Sequence, residues 1–218
     1  QSQSVGQRVL TLIFRGGGQG DSAIAIGNHC ATSNQGDSAI AIGDHCATSN
    51  QGGSSIAMGI YAGETNQGQY STAIGHYAGQ ISQNNFSTAL GSMAGNTSQG
   101  LAAVAIGRHA GETSQGNYSV AAGHAAGAAS AGDNSVCIGN GAGSTTAGPY
   151  SVLVGTNAGN AATASNTTAI GAGAGQHGTI SNCVILNGSA SLFPDTSHNN
   201  IGFYVKPIRG DALGLGAG

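Results

Sequence analysis

The sequence predicts an all-β, parallel β-solenoid of eleven 16-residue coils. Three observations predict it: a phrase that recurs at a constant interval, apolar residues that alternate with period two, and glycines that fall in columns. The phrase closes on glycine at Ser22–Gly27, Ser38–Gly43, Ser54–Gly59, Tyr70–Gly75, Phe86–Gly91 and Ala102–Gly107. It continues at Tyr118–Gly123, Asn134–Gly139, Tyr150–Gly155 and Asn166–Gly171, followed by a degenerate last copy, Asn182–Asn187. The closing residues lie 16 apart throughout, without insertion or deletion. A fold that tolerates loops drifts in length, whereas a solenoid whose equivalent residues stack cannot. Each unit is too short to bury a face alone, so neighbours must stack to close a core.

Within the phrase, the residues one and three before the closing glycine are Ile, Val, Leu, Met or Thr, with one Ala. Those two and four before it are mostly Ala and Ser. Period two marks a strand. The larger set is expected to fill the coil lumen, and the smaller set to leave room for close approach of another surface. Corners are assigned to three glycine columns, where positive φ or tight backbone approach is needed. The first comprises Gly27, Gly43, Gly59, Gly75, Gly91, Gly107, Gly123, Gly139, Gly155 and Gly171. A second lies seven residues earlier in most coils, as at Gly100, and a third four residues later, from Gly63 to Gly175. At about 4.8 Å per stacked strand, eleven coils make a rod of roughly 50 Å.

Composition argues against a globule, a disordered chain and collagen. Of 218 residues, 40 are glycine and only 6% are charged, which is unlike an ordinary globule. Disordered chains combine low hydrophobicity with high net charge, but this chain is 39% hydrophobic with a net charge of −3. Glycine does not recur at every third position, so collagen is excluded. With five basic residues, four of them near the ends, there is no electrostatic case for nucleic acid or an anionic membrane surface. No apolar run reaches the roughly 20 residues that span a bilayer, so no membrane insertion is expected. Four cysteines do not make a disulfide scaffold.

Three segments follow. Residues 1–18 lie outside the register and read as an N-terminal cap or junction, in which Val9–Phe14 could cover the edge of the first coil. Residues 19–190 are the repeat. Residues 191–218 read as a C-terminal cap and neck: Leu192, Phe193 and Pro194 close the last coil, Phe203–Arg209 forms the neck, and Gly210–Gly218 is a junction.

The repeated phrase, in forms such as Tyr118–Gly123 (YSVAAG) and Asn134–Gly139 (NSVCIG), resembles the head repeat of YadA-type trimeric autotransporter adhesins over about residues 19–190. The resemblance implies a left-handed parallel β-roll assembled as a homotrimer. The 16-residue period is somewhat longer than that family's usual unit. Similar repeats occur in fibre proteins of phages and large DNA viruses, and Gly202–Arg209 (GFYVKPIR) resembles the stretch that precedes a self-cleaving chaperone domain in viral fibres. This favours a viral fibre over a bacterial adhesin.

Several constellations could carry chemistry. His29–Cys30 and His45–Cys46 occupy the same place in successive coils and offer ligand types suited to zinc. All four cysteines, with Cys137 and Cys183, nevertheless stand in small-residue columns, as expected for buried cysteine. Side chains of one column point the same way, which is expected to suit neither a tetrahedral metal nor a disulfide. Packing is therefore the preferred reading, with no metal and no cofactor. The first two coils differ only at Asn28 versus Asp44, so a duplication also explains the pairing. The column two after the closing glycine holds His29, His45, Tyr61, Tyr77, Met93 and His109, and the column five before it holds Tyr70, Phe86, Tyr118 and Tyr150. Such ladders could stack on sugar rings or pack between subunits; packing between subunits is the preferred reading. Asn85, Asn96, Asn117, Asn166 and Asn187 begin Asn-x-Ser/Thr triplets, most of which chance explains in so polar a chain. Gly139–Gly143 mimics a phosphate loop but opens no helix. No Ser/His/Asp or paired-carboxylate arrangement sits at corresponding coil positions, so no enzyme is expected.

The expected function is that of a trimeric surface fibre, extracellular on a virion or cell, displaying a repetitive surface to a host glycan or protein. The alternatives are a bacterial adhesin head or a pure spacer shaft whose binding is done elsewhere. An ice-binding solenoid would need a continuous threonine column, but Thr65, Thr97 and Thr113 are interrupted by Ile81 and Ala129.

Overall fold

In the computed structural model, the described residues are 18–160, 165–176 and 181–187, with the backbone of 203–206. They form an all-β parallel solenoid of about ten turns of 16 residues, with no helix among them. The strands are β1 Ile24–Ile26, β2 Ser33–Gln35, β3 Ile40–Ile42, β4 Ser49–Gln51, β5 Ile56–Met58, β6 Thr65–Gln67, β7 Thr72–Ile74 and β8 Thr88–Leu90. They continue as β9 Val104–Ile106, β10 Val120–Ala122, β11 Val136–Ile138, β12 Val152–Val154, β13 Thr168–Ile170, β14 Val184–Asn187 and β15 Phe203–Lys206. One sheet runs β1-β3-β5-β7 and then β8 through β15, and a second runs β2-β4-β6. Isolated bridges Thr65↔Ile81, Ile81↔Thr97 and Thr97↔Thr113 continue the second sheet.

Every pairing is parallel, and all but the last step by one repeat, as in Ile24↔Ile40 and Thr88↔Val104. The last step differs, because Val184 pairs with Phe203, 19 residues on. The start of the expected neck is thus a strand that extends the sheet. The rest of the expected C-terminal cap, and nearly all of the N-terminal one, lie outside the described residues.

The inside and outside of the long sheet are the reverse of the sequence expectation. Ala25, Ala41, Ala57, Ala73, Ala89 and Ala105, two before the closing glycine, are buried, as are Ser55, Ser71 and Ser87, four before it. The larger residues point outward: Ile24, Ile26, Leu90, Ile106 and Ile138 are exposed. The reason is what faces them across the lumen. A column of glutamines, Gln35, Gln51, Gln67, Gln83, Gln99 and Gln115, is buried there. Each reaches across to the opposite sheet, where Gln67 Nε2 donates to the Ile56 carbonyl at 2.7 Å and Gln99 Nε2 to that of Thr88 at 2.8 Å. Successive amides also join each other, Gln83 donating to Gln99 Oε1 at 3.1 Å and Gln99 to Gln115 Oε1 at 3.2 Å. A lumen filled by glutamine leaves space only for Ala and Ser on the facing strand. The serines satisfy themselves locally, as in Ser71 Oγ donating to the Gly68 carbonyl at 2.7 Å; this removes the cost of burying a hydroxyl.

Where the glutamines stop, the facing column grows. Ala131 and Ala147 take the glutamine column, while Cys137 and Leu153 take positions held by Ala in earlier coils, and all four are buried. Volume is redistributed across the lumen rather than lost, as close packing requires.

Gly91 has φ +129°, and a Cβ there would lie 2.8 Å from the Gly107 carbonyl carbon and oxygen of the next coil. Gly100 is held by approach alone, since a Cβ would stand 2.5 Å from the Gly116 carbonyl. Gly53 differs, its nearest neighbour being the Asp37 carbonyl oxygen at 3.4 Å. Gly91→Ala is therefore expected to cost about 3 kcal/mol or more, and Gly53→Ala to lie within about 0.5 kcal/mol of the parent. Denaturant unfolding of the two variants checks this, and equal midpoints would overturn the corner assignment.

Candidate functional site

The surface is organised in columns because each residue stands above its 16-residue equivalent. Among the described residues, one such surface is the outward side of the long sheet. There Ile24, Ile26, Ile40, Ile42, Ile56 and Met58 begin two rows, one apolar through Ile170 and the other carrying Thr72, Thr88 and Thr168 among its Ile and Val residues. Three-residue strands about 10 Å long, stacked over roughly 50 Å, give a face of about 500 Å² in projection. That is within the range of the largest apolar patch on a typical monomer, and such patches are often functional.

Corner columns flank this face, and both aromatic columns lie in them. Tyr70, Phe86, Tyr118 and Tyr150 have φ of 56°, 59°, 56° and 58°, and His29, His45, Tyr61 and Tyr77 have φ of 51°, 52°, 56° and 57°. Bulky side chains rarely adopt this left-handed conformation. In the first of these columns, Asn134, Asn166 and Asn182 adopt it more readily. These corners were not legible as such from the sequence, which marks corners by glycine.

The structure brings some ladder members together and separates others. The His29, His45, Tyr61 and Tyr77 rings stack continuously, with centroids 4.6, 5.1 and 4.9 Å apart. Tyr70 and Phe86 stack at 5.3 Å. Met93 interrupts the first ladder before His109, whose Nδ1 lies 2.8 Å from Glu112 Oε2. Tyr118 and Tyr150 have Asn134 rather than a ring between them. Tyr61 therefore has both ring faces covered by His45 and Tyr77, so it offers a sugar only its edge. Tyr118 and Tyr150, 58% and 63% exposed, stand without a ring in the adjacent coil, and are better placed to receive a flat or ring-shaped ligand.

The cysteines are buried in small-residue columns as expected, but one expectation is overturned. Cys30 and Cys46 form a disulfide, with Cα atoms 4.8 Å apart. Side chains of one column do point the same way, yet the stacking distance itself falls in the range a disulfide spans. Two cysteines in register in adjacent coils are thus a disulfide signal in this fold. The Gln column is the other feature that sequence reasoning missed; its strict recurrence opposite the apolar phrase was the available signal.

Cys137 and Cys183 remain thiols. Burial pushes the Cys137 thiol from 9.0 up to about 12, against a smaller lowering by the Ser135 hydrogen bond. Burial also raises Cys183, against a smaller lowering by Thr167.

Among the described residues, no helix is long and apolar enough to cross a membrane. Comparison with protein-family models, curated proteins and solved structures finds no match to this chain.

The thiolate is the reactive form, so at pH 8 a thiol titrating near 12 is ionised to only about one part in ten thousand. A thiol-specific dye should accordingly leave Cys137 unlabelled in the native protein at pH 8 and label it on unfolding. The raised value also favours the protonated native state. This contribution to stability is complete below pH 9.0 and declines as pH rises toward about 12. Rapid native labelling of Cys137 at pH 8, read by mass spectrometry, would contradict the buried lumen position.

Proposed function

We propose that this chain is the shaft or head of a homotrimeric surface fibre, in which the outward Ile/Val/Thr face of the long sheet is the interface between copies. The observation that supports this most is that the regular rows of large apolar side chains stand outside the coil, where a lone solenoid would leave them in water. A second copy of the same rod supplies a matching length, a matching 16-residue pitch and the same apolar chemistry. The small Ala/Ser set, which the alternation alone would offer to a neighbouring surface, fills the lumen and is not free to do so.

The proposed mechanism is presentation. A rod holds equivalent sites away from the particle or cell that carries it, and three weak sites per fibre raise apparent affinity through effective concentration. A host glycan or surface protein is the proposed target, and the corner aromatics Tyr118 and Tyr150 are its proposed contacts. The particle is proposed to be a virion in preference to a bacterial cell, on the strength of the Gly202–Arg209 resemblance.

Light scattering after size exclusion tests the assembly. The expected mass is three times 21.0 kDa. Ile106→Asp, on the outward face, should dissociate the assembly, while Thr113→Asp, an exposed site beside the second sheet, should leave the mass unchanged. A monomeric parent would overturn the trimer and bring forward a lone solenoid with a free flat face. A trimer that fails to bind intact host cells would instead support the spacer-shaft reading.

A further inference from the structure

The first two coils carry the same residues at every position but one, Asn28 against Asp44. That single departure puts a carboxylate beside two imidazoles. The His29 and His45 rings stack with centroids 4.6 Å apart, and Asp44 Oδ1 lies 4.0 Å from His45 Nε2. One donor atom from each of His29, Asp44 and His45 lies within 4.8 Å of the other two. All three side chains reach solvent, His45 and Asp44 with 35% and 47% of their side-chain surface exposed.

We propose that His29, Asp44 and His45 form a surface site for a divalent transition-metal ion of the Zn²⁺, Ni²⁺ or Cu²⁺ type, completed by water. Two imidazoles and one carboxylate are the donor set these borderline ions take, whereas Ca²⁺ and Mg²⁺ require a cage of oxygens that this corner lacks. Bonds of about 2.0–2.2 Å put neighbouring donors roughly 3–3.5 Å apart. The donors must therefore close by about 1–1.5 Å. Because the two rings are stacked at 21° while imidazole ligates through an in-plane lone pair, ion binding turns the exposed His29 ring out of the stack to another rotamer.

The surroundings limit how far they can wander. The Cys30–Cys46 disulfide joins the residues immediately after the two histidines and fixes the spacing of the coils there. The His45 amide donates to the Asn28 carbonyl at 2.9 Å. Asn28 Nδ2 donates to Asp44 Oδ1 at 3.2 Å and so orients the carboxylate, a supporting contact of the kind that tunes metal sites. Tyr61 stacks on the other face of His45 at 5.1 Å and holds that ring, so His29, at the end of the ladder, is the ring that turns. The disulfide also removes both sulfurs as ligands, so the site is nitrogen and oxygen only. A simple aromatic ladder would account for the stacked rings, since Tyr61 and Tyr77 stack equally well without a carboxylate. It does not account for Asp44.

Calorimetric titration of the disulfide-intact chain with manganese, zinc, nickel and copper chlorides tests the site. One ion per chain is expected, with copper held most tightly and manganese least. His29→Gln and His45→Gln should each weaken binding by at least about tenfold, and Asp44→Asn should also weaken it. His109→Gln, which alters a histidine elsewhere, should bind as the parent does. All of these positions are on the surface, and unchanged thermal melts without metal would show that the variants fold. In the parent, added zinc should raise the melting temperature with concentration. The proposal is overturned by absent binding, by undiminished binding in the His29→Gln/His45→Gln double variant, or by binding that appears only after the disulfide is reduced. The last outcome would assign the ion to the Cys30 and Cys46 thiolates.

Discussion

In-register stacking at a fixed 16-residue step is the constraint on which the rest of the molecule depends. Each strand residue pairs with its equivalent in the next coil, from Ile24↔Ile40 to Ile170↔Leu186. Backbone hydrogen bonds carry the same step around the turns, as in Gly43 N to the Ile26 carbonyl and His45 N to that of Asn28, at 2.8 and 2.9 Å. A one-residue slip within a strand would put that strand's side chains on the wrong face, and the longer step from Val184 to Phe203 keeps the register by placing its extra residues between the strands. Equal coil length is therefore a packing requirement, and it forces like residues into contact with like. The buried amide column shows why this can be favourable, since each glutamine donates across the lumen and, at Gln83 and Gln99, to the next amide.

The lumen is the second consequence. It is narrow, and its two sides share one volume. Gln99 fills it opposite Ala89, whereas Leu153 fills it from the other strand. Glycines adjust to whichever is present: a Cβ at Gly95 would stand 2.6 Å from Gln99 Oε1, and one at Gly159 would stand 2.6 Å from Leu153 Cδ2. This explains what was legible in the sequence and what was not. The period, the strands and the glycine corners follow from spacing alone. Which of two alternating sets faces inward does not. The general tendency of Ile and Val to be buried points to the wrong set, because it takes no account of the size of the space they must enter. The recurring Gln35–Gln115 column carried the missing information, since a long polar side chain that crosses a coil permits only small residues opposite.

The same stacking accounts for the surface features. Aromatic corners stack where rings occupy successive coils, as at Tyr61 and Tyr77, and stand alone where Ala or Asn intervenes, as at Tyr118. Cys30 and Cys46 bond because the stacking distance is a bonding distance. The pairing of the two cysteine coils was legible, but its chemical outcome was not, because it depends on the 4.8 Å separation of the stacked Cα atoms rather than on the shared direction of the side chains.

A site in such a fold is built by changing single columns while the others continue unaltered. Asp44 changes one residue between two otherwise identical coils and leaves the backbone ladder intact. Likewise, the tyrosines at 70, 118 and 150 share a column with asparagines at the same φ, so a corner can gain a ring without altering the coil. The cost of a bulky left-handed residue falls at one corner, where neighbouring coils already impose the conformation. If copies associate through the outward sheet face, the polar second sheet remains in water, including Asn34, Asn50 and Asn66, whose amides bond in sequence at 2.9 Å. The corners would then border the interface, each repeated once per copy. Substitutions there change what the rod can touch without disturbing what holds it together.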